Sequence, residues 1–363
     1  MNEDGEPPDL GAAFQADDEH SAEATAAAVL ALGWRLSARP GLEDCLATDE
    51  LDYLAPVLGA PTEPQLSVPR PAAWAALEKL GAETGAVRGD TRRALFDSYC
   101  QRPDPLTAAA LFEACLSHEQ ELVRAAAAAA YFEISAEPAF LLDGLASTAA
   151  YGEGSAQAVA ATSLGRIAPE HPVLDNPWSA PARAHDPVPL RTSLLLHGTF
   201  ARRQTWWSPG GDFHSYILDK VRPDLYSEPD CFSWSGGYSA AARALAAQEL
   251  SEWIAAREGA DVDLFAHSHG GNVAMLATHS GVRVKTLVLL SVPVHWDEYF
   301  PKAGQVAQAV SVRVHCDLAI LADRGGQRFG DPAVAEHVLP IWFDHAATHE
   351  PATWERHGVP SYV

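Results

Sequence analysis

The chain has 363 residues, of which 47% are hydrophobic and 20% are charged, and its formal net charge is −23. This length exceeds that of a usual single hydrophobic core, so we expect two domains. The excess of acidic side chains repels phosphate backbones and anionic lipid surfaces, which argues against nucleic-acid binding.

The cysteines and the N-terminus bear on the compartment. Five cysteines, an odd number without CxxC or CxxH spacing, argue against a disulfide framework and against a zinc site. The stretch MNEDGEPPDLG lacks the basic and apolar regions of a secretory signal, and no apolar run approaches the roughly 20 residues that span a bilayer. We therefore expect a cytoplasmic protein with free thiols, without a bound metal and without an integral membrane segment.

The first half of the chain carries most of the acidic residues and is predicted to be helical. Residues 1–20 are polar and acidic, which predicts a disordered tail. Residues 21–170 are rich in alanine, and their apolar residues recur at helical spacing, so we predict an all-α domain there. The proline-rich stretch at 61–71 interrupts these helices.

Two segments of this half look like copies of one unit. Residues 127–134 align with residues 160–167 at an offset of 33, with small residues on one face and large ones closing the turn. The stretch VRAAAAAAYF resembles the VRxxAAxAL helix of HEAT-type repeats. An irregular helical bundle is the alternative interpretation. Stacked helix pairs of the HEAT type would offer a surface for a protein partner.

A linker with five prolines is predicted at 171–190, and the sequence pattern of the second half differs from that of the first. Short, continuously hydrophobic runs then alternate with helical stretches, which is typical of a doubly wound, mostly parallel α/β sheet covered on both faces. We predict this domain over 191–363. Its predicted strands are 191–198, 231–234, 262–267, 284–293, 312–316 and 338–343, and its clearest helices are 239–259 and 271–281.

A candidate nucleophile lies between the third predicted strand and the following helix. The sequence AHSHG, with Ser268 at its centre and Gly270 two residues later, approximates the G-x-S-x-G turn that exposes a serine above a sheet. Ala266 replaces the first glycine and adds only a methyl group. The alternative is that Ser268 is an ordinary helix N-cap.

A second motif, LLLHGTF at 194–200, ends an earlier strand in His197 and Gly198. With the serine turn it resembles the α/β-hydrolases, in the short lipase-like or esterase-like form. The resemblance implies an oxyanion hole built from the amide of His269 and that of Thr199 or Phe200. It also implies that His197, Gly198 and Gly270 shape the two loops.

The resemblance further implies an acid and a histidine, in that chain order, after the late strands. Asp317 directly follows a strand and is the favoured acid. Asp323 is the alternative, although it could instead pair with Arg324. His345 is the favoured base, and the alternatives are His349 and, further along, His357.

This resemblance predicts hydrolysis of carboxylic esters by a Ser-His-Asp triad through an acyl-enzyme, with no cofactor. Four aromatic residues either rim the substrate pocket or pack beneath it: Trp206, Trp207, Trp296 and Phe300. The alternatives are cleavage of amides, thioesters or lactones on the same scaffold, and a non-catalytic interaction protein with a relic hydrolase domain.

Overall fold

The computed structural model describes residues 6–37, 42–58, 67–84, 88–174, 193–227, 231–256, 262–295 and 298–363. The chain forms two compact units. The first consists of Met1–Val173 with two later segments, Cys316–Gly326 and Ile341–Asp344. The second consists of Leu174–His315, Gln327–Pro340 and His345–Val363. Most of the linker predicted at 171–190 lies outside the described residues.

The first unit is helical, as its alanine-rich sequence predicts. Its helices are α1 Leu10–Gln15, α2 Glu19–Leu36, α3 Leu42–Cys45, α4 Thr48–Leu58, α5 Arg70–Thr84, α6 Arg88–Gln101, α7 Pro105–Cys115, α8 Glu121–Phe132, α9 Ala139–Tyr151, α10 Gly154–Ile167 and, later in the chain, α14 Leu318–Asp323.

Small side chains let these helices approach closely. A Cβ atom placed on Gly33 of α2 would lie only 2.5 Å from the Cβ atom of Ala130 on α8. A larger residue at either position would force the two backbones apart, because protein interiors are close-packed. The alanine content of this half therefore serves helix packing as well as helix propensity.

The expected disordered tail at 1–20 is wrong for residues 10–15 and for 19–20, which are helical. Asp9 caps α1, and its side chain accepts a hydrogen bond from the amide of Ala12. Phe14 is fully buried and stacks on Phe96, with 4.6 Å between ring centroids. A few apolar residues in an acidic stretch are thus enough to hold the helix once α6 provides a partner.

The second unit is built on a five-stranded sheet in which the strands lie in chain order. They are β1 Ser193–Leu196, β2 Val262–His267, β3 Val284–Leu290, β4 Val306–His315 and β5 Val334–Trp342, the last two residues of which fall in the first unit. The α-helices of this unit are α11 Asp212–Tyr216, α12 Ala240–Ala255, α13 His269–His279 and α15 Pro351–Arg356. The pairs β1–β2, β2–β3 and β3–β4 are parallel.

The sheet is buried because its strands are apolar along their whole length. All six residues of β2 and six of the seven residues of β3 are buried. Their side chains join those of α12 and α13 in one hydrophobic cluster, which includes Leu250, Leu264, Val273, Leu287 and Leu289. The continuous hydrophobic runs in the sequence therefore identified central strands.

Residues 231–234, which we predicted as a strand, do not form one. Trp234 is nevertheless buried, and its indole N–H donates a hydrogen bond to the carbonyl of His197. The edge of β1 that faces away from β2 is instead occupied by an isolated parallel bridge from Ser193 to Leu225. The chain therefore leaves β1 on one side and returns as β2 on the other.

In α/β proteins, ligand sites lie at the carboxyl ends of the strands beside such a change of direction. In this unit that position is at the carboxyl ends of β1 and β2. Among the helices of the described residues, none combines the length and the apolar character needed to cross a bilayer.

Candidate functional site

Ser268 forms a strained turn between β2 and α13. Its backbone angles are φ 53° and ψ −136°, a region that residues with side chains rarely adopt. Such a conformation costs on the order of 1–3 kcal/mol and persists only where the surroundings enforce it. Here the Ser268 amide donates to the carbonyl of Leu290 at the end of β3, over 2.8 Å, which fixes the turn against the sheet.

The hydroxyl of Ser268 is not used to cap the helix. Although Ser268 occupies the N-cap position of α13, its side chain makes no capping hydrogen bond among the described residues. It is half-buried, whereas its neighbours His267 and His269 are buried. The N-cap interpretation therefore does not account for this serine, and its side chain stays within reach of solvent.

Two glycines make room for the turn. A Cβ atom on Gly198 would lie 2.7 Å from the Cβ and 3.3 Å from the Oγ of Ser268. A Cβ atom on Gly270 would lie 2.6 Å from the carbonyl oxygen of His197 and 2.9 Å from that of Leu196. Only glycine lets the end of β1 and the start of α13 approach this closely, because real Cβ contacts do not fall below 3.0 Å.

Two backbone amides, those of His269 and Thr199, lie beside this turn. His269 is the first residue of α13, and the N–H groups of a first helical turn point out of the helix end. The amide of Thr199, directly after Gly198, makes no hydrogen bond with any described residue. The Thr199 Oγ1 lies 2.9 Å from Nδ1 of His269, so the two loops are joined.

The amide of Phe200 already donates a hydrogen bond within the unit. It donates to the carbonyl of Gly236 over 3.0 Å, and Phe200 itself has a left-handed backbone with φ 63°. Of the two residues predicted as the second oxyanion donor, Thr199 is therefore the better placed.

An aromatic face borders the turn. The ring of Phe200 stacks parallel to that of Tyr238, with 6.4 Å between centroids, and Tyr238 meets His269 edge-on at 5.3 Å. The guanidinium of Arg243 lies 5.5 Å from the centroid of the Tyr238 ring. Sequence reasoning missed Tyr238, although the segment WSGGY that contains it precedes the serine turn in the chain.

The two candidate bases lie together at the end of β2. The ring centroids of His345 and His349 lie 4.5 Å and 4.6 Å from that of His267, the residue before Ser268. The Nε2 of His267 also lies 3.3 Å from the carbonyl oxygen of His345. The ring of His349 is stacked flat on Trp206, at 4.1 Å and 3° between planes.

Burial keeps several of these imidazoles neutral. Desolvation, and then the proximity of His345 and His349, lowers the pKa of His267 well below its usual value. Desolvation followed by the neighbouring His345 lowers the pKa of His349 to about 4. At neutral pH the rings of His267 and His349 therefore carry no charge.

His197 and Trp207, which both follow β1 in the chain, pack against each other. His197 is fully buried between Trp207 and Trp234, with ring centroids 4.5 Å and 5.7 Å away. Its burial lowers the pKa of the imidazole to about 4. Trp206 and Trp207 are both more than nine-tenths buried, so they pack inside the unit and do not form an open rim.

The other predicted residues lie elsewhere. Phe300 packs edge-on against His279, at the opposite end of α13 from Ser268. His357 caps the end of α15. Trp296 lies outside the described residues.

The candidate acids both belong to the first unit, at the two ends of α14. Asp317 is fully buried and caps this helix, since its Oδ1 accepts hydrogen bonds from the amides of Ala319 and Ile320 over 3.0 Å and 3.2 Å. Asp323 is the last residue of the helix and is buried. The guanidinium of Arg324 lies 3.5 Å from the Glu133 carboxylate.

No protein-family model, no curated protein and no solved structure matches this chain.

The packing at Gly270 gives a direct test of the turn. We expect Gly270→Ala to lower the free energy of unfolding of the second unit by about 1–3 kcal/mol, because the new methyl group must displace backbone carbonyls. Urea unfolding followed by tryptophan fluorescence measures it. Gly144→Ala is the control, since a Cβ atom there meets nothing within 4 Å and an alanine favours the α9 helix. Equal effects of the two substitutions would contradict the close approach at Gly270.

The buried His197 predicts a pH dependence of stability. Its folded pKa of about 4 is below its unfolded value of about 6.5, so the unfolded chain binds a proton first as the pH falls. The stability is therefore complete above about pH 6.5 and declines towards pH 4, by about 2 kcal/mol between pH 7 and pH 5. We expect His197→Gln to remove about that much of the pH dependence in urea unfolding. The control His20→Gln, at a half-exposed side chain, leaves it unchanged.

Proposed function

We propose that the second unit is a serine hydrolase of the α/β-hydrolase type that cleaves carboxylic esters, with Ser268 as its nucleophile. The observation that supports this most is the Ser268 turn: a left-handed serine after a central strand, with its hydroxyl unused as a helix cap. A serine used only to start a helix would not need a strained backbone.

In the proposed reaction the Oγ of Ser268 attacks the ester carbonyl carbon while His345 removes its proton. The amides of His269 and Thr199 bind the oxyanion that forms. The proton then passes from His345 to the alcohol as it leaves. A water molecule activated by the same imidazole attacks the acyl-enzyme and releases the carboxylic acid. Asp317 orients the base, with Asp323 as the alternative, and the mechanism calls on no metal or organic cofactor.

Several observations support parts of this proposal. The rings of His345 and His349 pack on His267, the residue directly before the proposed nucleophile. Doubly wound sheets bind ligands at the carboxyl ends of the strands where the strand order changes direction, and in this unit those strands are β1 and β2. The aromatic face of Phe200 and Tyr238 favours an uncharged acyl or aromatic group. The five cysteines are all free thiols, which suits the reducing, cytoplasmic compartment that we propose.

The nucleophile is tested by an active-site probe. We expect the wild-type protein to be labelled by a fluorophosphonate and to hydrolyse p-nitrophenyl esters, and we expect Ser268→Ala to abolish labelling and to lower kcat by about 1000-fold or more. Ser280→Ala, at the exposed far end of α13, is the matched control and keeps both. Labelling without ester hydrolysis would indicate amide, thioester or lactone substrates. A folded protein that is never labelled would refute the hydrolase and favour a non-catalytic interaction protein.

The identity of the base is tested by paired substitutions. We expect His345→Asn to lower kcat/KM by about 100-fold or more, as loss of a general base does. His349→Asn should have a much smaller effect, because that ring is held face to face with Trp206. The steady-state kinetics of the two variants with the same ester measure the difference. The opposite ranking would assign the base to His349.

A further inference from the structure

An arginine of the second unit is buried next to the aromatic face of Phe200 and Tyr238. Arg243 is only 7% exposed, although arginine is almost never buried without a partner charge. Its Nε donates to the hydroxyl of Tyr299 over 3.0 Å, and its Nη1 donates to the backbone carbonyl of Tyr238 over 2.6 Å. Among the described residues no carboxylate pairs with it. The burial of this charge therefore calls for an explanation.

The local fold gives no reason for a cation at this position. Arg243 is the fourth residue of α12, near the helix end whose dipole disfavours positive charge. The start of the helix is already capped by Ser239, whose Oγ accepts the amide of Ala242 over 3.1 Å. Burial raises the pKa of Tyr299, and Glu298 acts in the same direction, so the tyrosine hydroxyl is neutral and does not cancel the charge of the guanidinium. What remains are the contacts of Arg243 with the two tyrosines.

The guanidinium of Arg243 lies against both tyrosine rings. It is 5.5 Å from the ring centroid of Tyr238 and 5.1 Å from that of Tyr299, and a desolvated guanidinium is attracted to the face of an aromatic ring. Tyr299 is buried and so provides a fixed partner inside the unit. Because the guanidinium is a rigid planar fork, it holds Tyr238 at two places, the ring and the backbone carbonyl.

The loop that carries Tyr238 packs on the loop beside the proposed nucleophile. Gly236, two residues before Tyr238, has a φ of 70°, and a Cβ atom there would lie 3.7 Å from the carbonyl oxygen of Gly198. A Cβ atom on Gly198 would in turn lie 3.3 Å from the Oγ of Ser268. The carbonyl of Gly236 also accepts the amide of Phe200. A contact that fixes Tyr238 therefore acts within a few residues of the serine turn.

The ring of Tyr238 joins the two sides of this region. It is parallel to the ring of Phe200 within 11°, and it meets the ring of His269 at 83°. Phe200 and Tyr238 are both half-buried, so part of each ring is open, whereas His269 and Arg243 are buried. Two parallel, partly open rings that are held from within the unit offer a flat surface, and aromatic groups favour such stacked arrangements.

We propose that Arg243 determines substrate specificity: it fixes Tyr238 so that the rings of Phe200 and Tyr238 bind an aromatic ring of the ester. This inference rests on the proposed hydrolase function and names its substrate class, the esters of aromatic acids or of aromatic alcohols. Arg243 is a positioning residue, because it acts through Tyr238 and does not touch the substrate. All of these contacts are made within the second unit.

The test compares esters in which one six-membered ring is either aromatic or saturated. On the acid side the pair is p-nitrophenyl benzoate and p-nitrophenyl cyclohexanecarboxylate, and on the alcohol side it is phenyl acetate and cyclohexyl acetate. The selectivity of a protein is the ratio of its two kcat/KM values within a pair. Dividing the selectivity of a variant by that of the wild type cancels the intrinsic reactivity of the two esters.

We expect Arg243→Met to lower the selectivity for the aromatic ester in at least one pair by about 3-fold to 10-fold, because the loss of both hydrogen bonds releases Tyr238. Tyr238→Leu, which removes the ring itself, should cause at least as large a loss. Arg243→Lys keeps the charge but not the planar fork, so it should behave like Arg243→Met. Tyr299→Phe removes only the acceptor of Nε and should cause a smaller loss. A merely structural role of Arg243 would lower kcat/KM for both esters of a pair alike.

Arg222→Met is the matched control. Arg222 is a partly buried arginine of the same unit, and its Nε donates to Asp263 over 3.3 Å while its guanidinium lies 5.7 Å from the ring centroid of Phe265. Asp263 is the second residue of β2, whereas Ser268 follows the last one. We expect the control to lose thermal stability but to keep the wild-type selectivity in both pairs.

The outcomes separate the two proposals. Wild-type protein that is not labelled by the fluorophosphonate overturns the hydrolase and this inference with it. Labelled wild-type protein that hydrolyses none of the four esters, or whose selectivity is the same in Arg243→Met and Arg222→Met, overturns the aromatic specificity alone. A preference for an ester with a free carboxylate, such as mono-p-nitrophenyl glutarate, that is lost in Arg243→Met would show that the guanidinium binds the substrate directly, which overturns the positioning role. If Arg243→Met does not fold, Arg243→Lys and Tyr299→Phe decide by the same ratios.

Discussion

The left-handed backbone of Ser268 is the constraint on which the rest of the second unit depends. It is stable because the serine amide is bound to β3 while two glycines let β1 and α13 come within van der Waals distance of the turn. The same close approach brings the loop after β1 beside the first turn of α13. The strain in the Ser268 backbone and the close approach of the two loops are therefore two results of one packing arrangement.

Buried, neutral histidines are the second characteristic of this site. His197, His267 and His349 are surrounded by tryptophan rings or by each other, and desolvation lowers the pKa of each. Charged imidazoles in these positions would repel one another in a medium of low dielectric constant. Burying these neutral rings makes the stability of the fold sensitive to acid.

Sequence patterns identified the helical first half, the α/β second half, the central strands and the serine turn, because each of these is set by residues close together in the chain. Four features were not predictable in this way. Residues 10–15 fold as a helix because the ring of Phe14 stacks on that of Phe96, which lies 82 positions later in the chain. Residues 231–234 have the composition of a strand, but Leu225 takes the place beside β1. Tyr238 meets the ring of His269 edge-on, and Glu50 accepts a hydrogen bond from the amide of Cys316; both partners lie far away in the sequence.

The sequence by itself determined the class of each half, the position of the central strands and which serine could be forced into a sharp turn, since hydrophobic runs and small residues act locally. Only the tertiary structure decided that the hydroxyl of Ser268 makes no helix-capping bond and that the amide of Phe200, unlike that of Thr199, bonds to another described residue. It also decided that α14 belongs to the helical unit. The physical reason is that these outcomes depend on which distant groups meet in the folded chain. A hydrogen bond such as that between Cys316 and Glu50 joins residues 266 positions apart, and no local pattern specifies it.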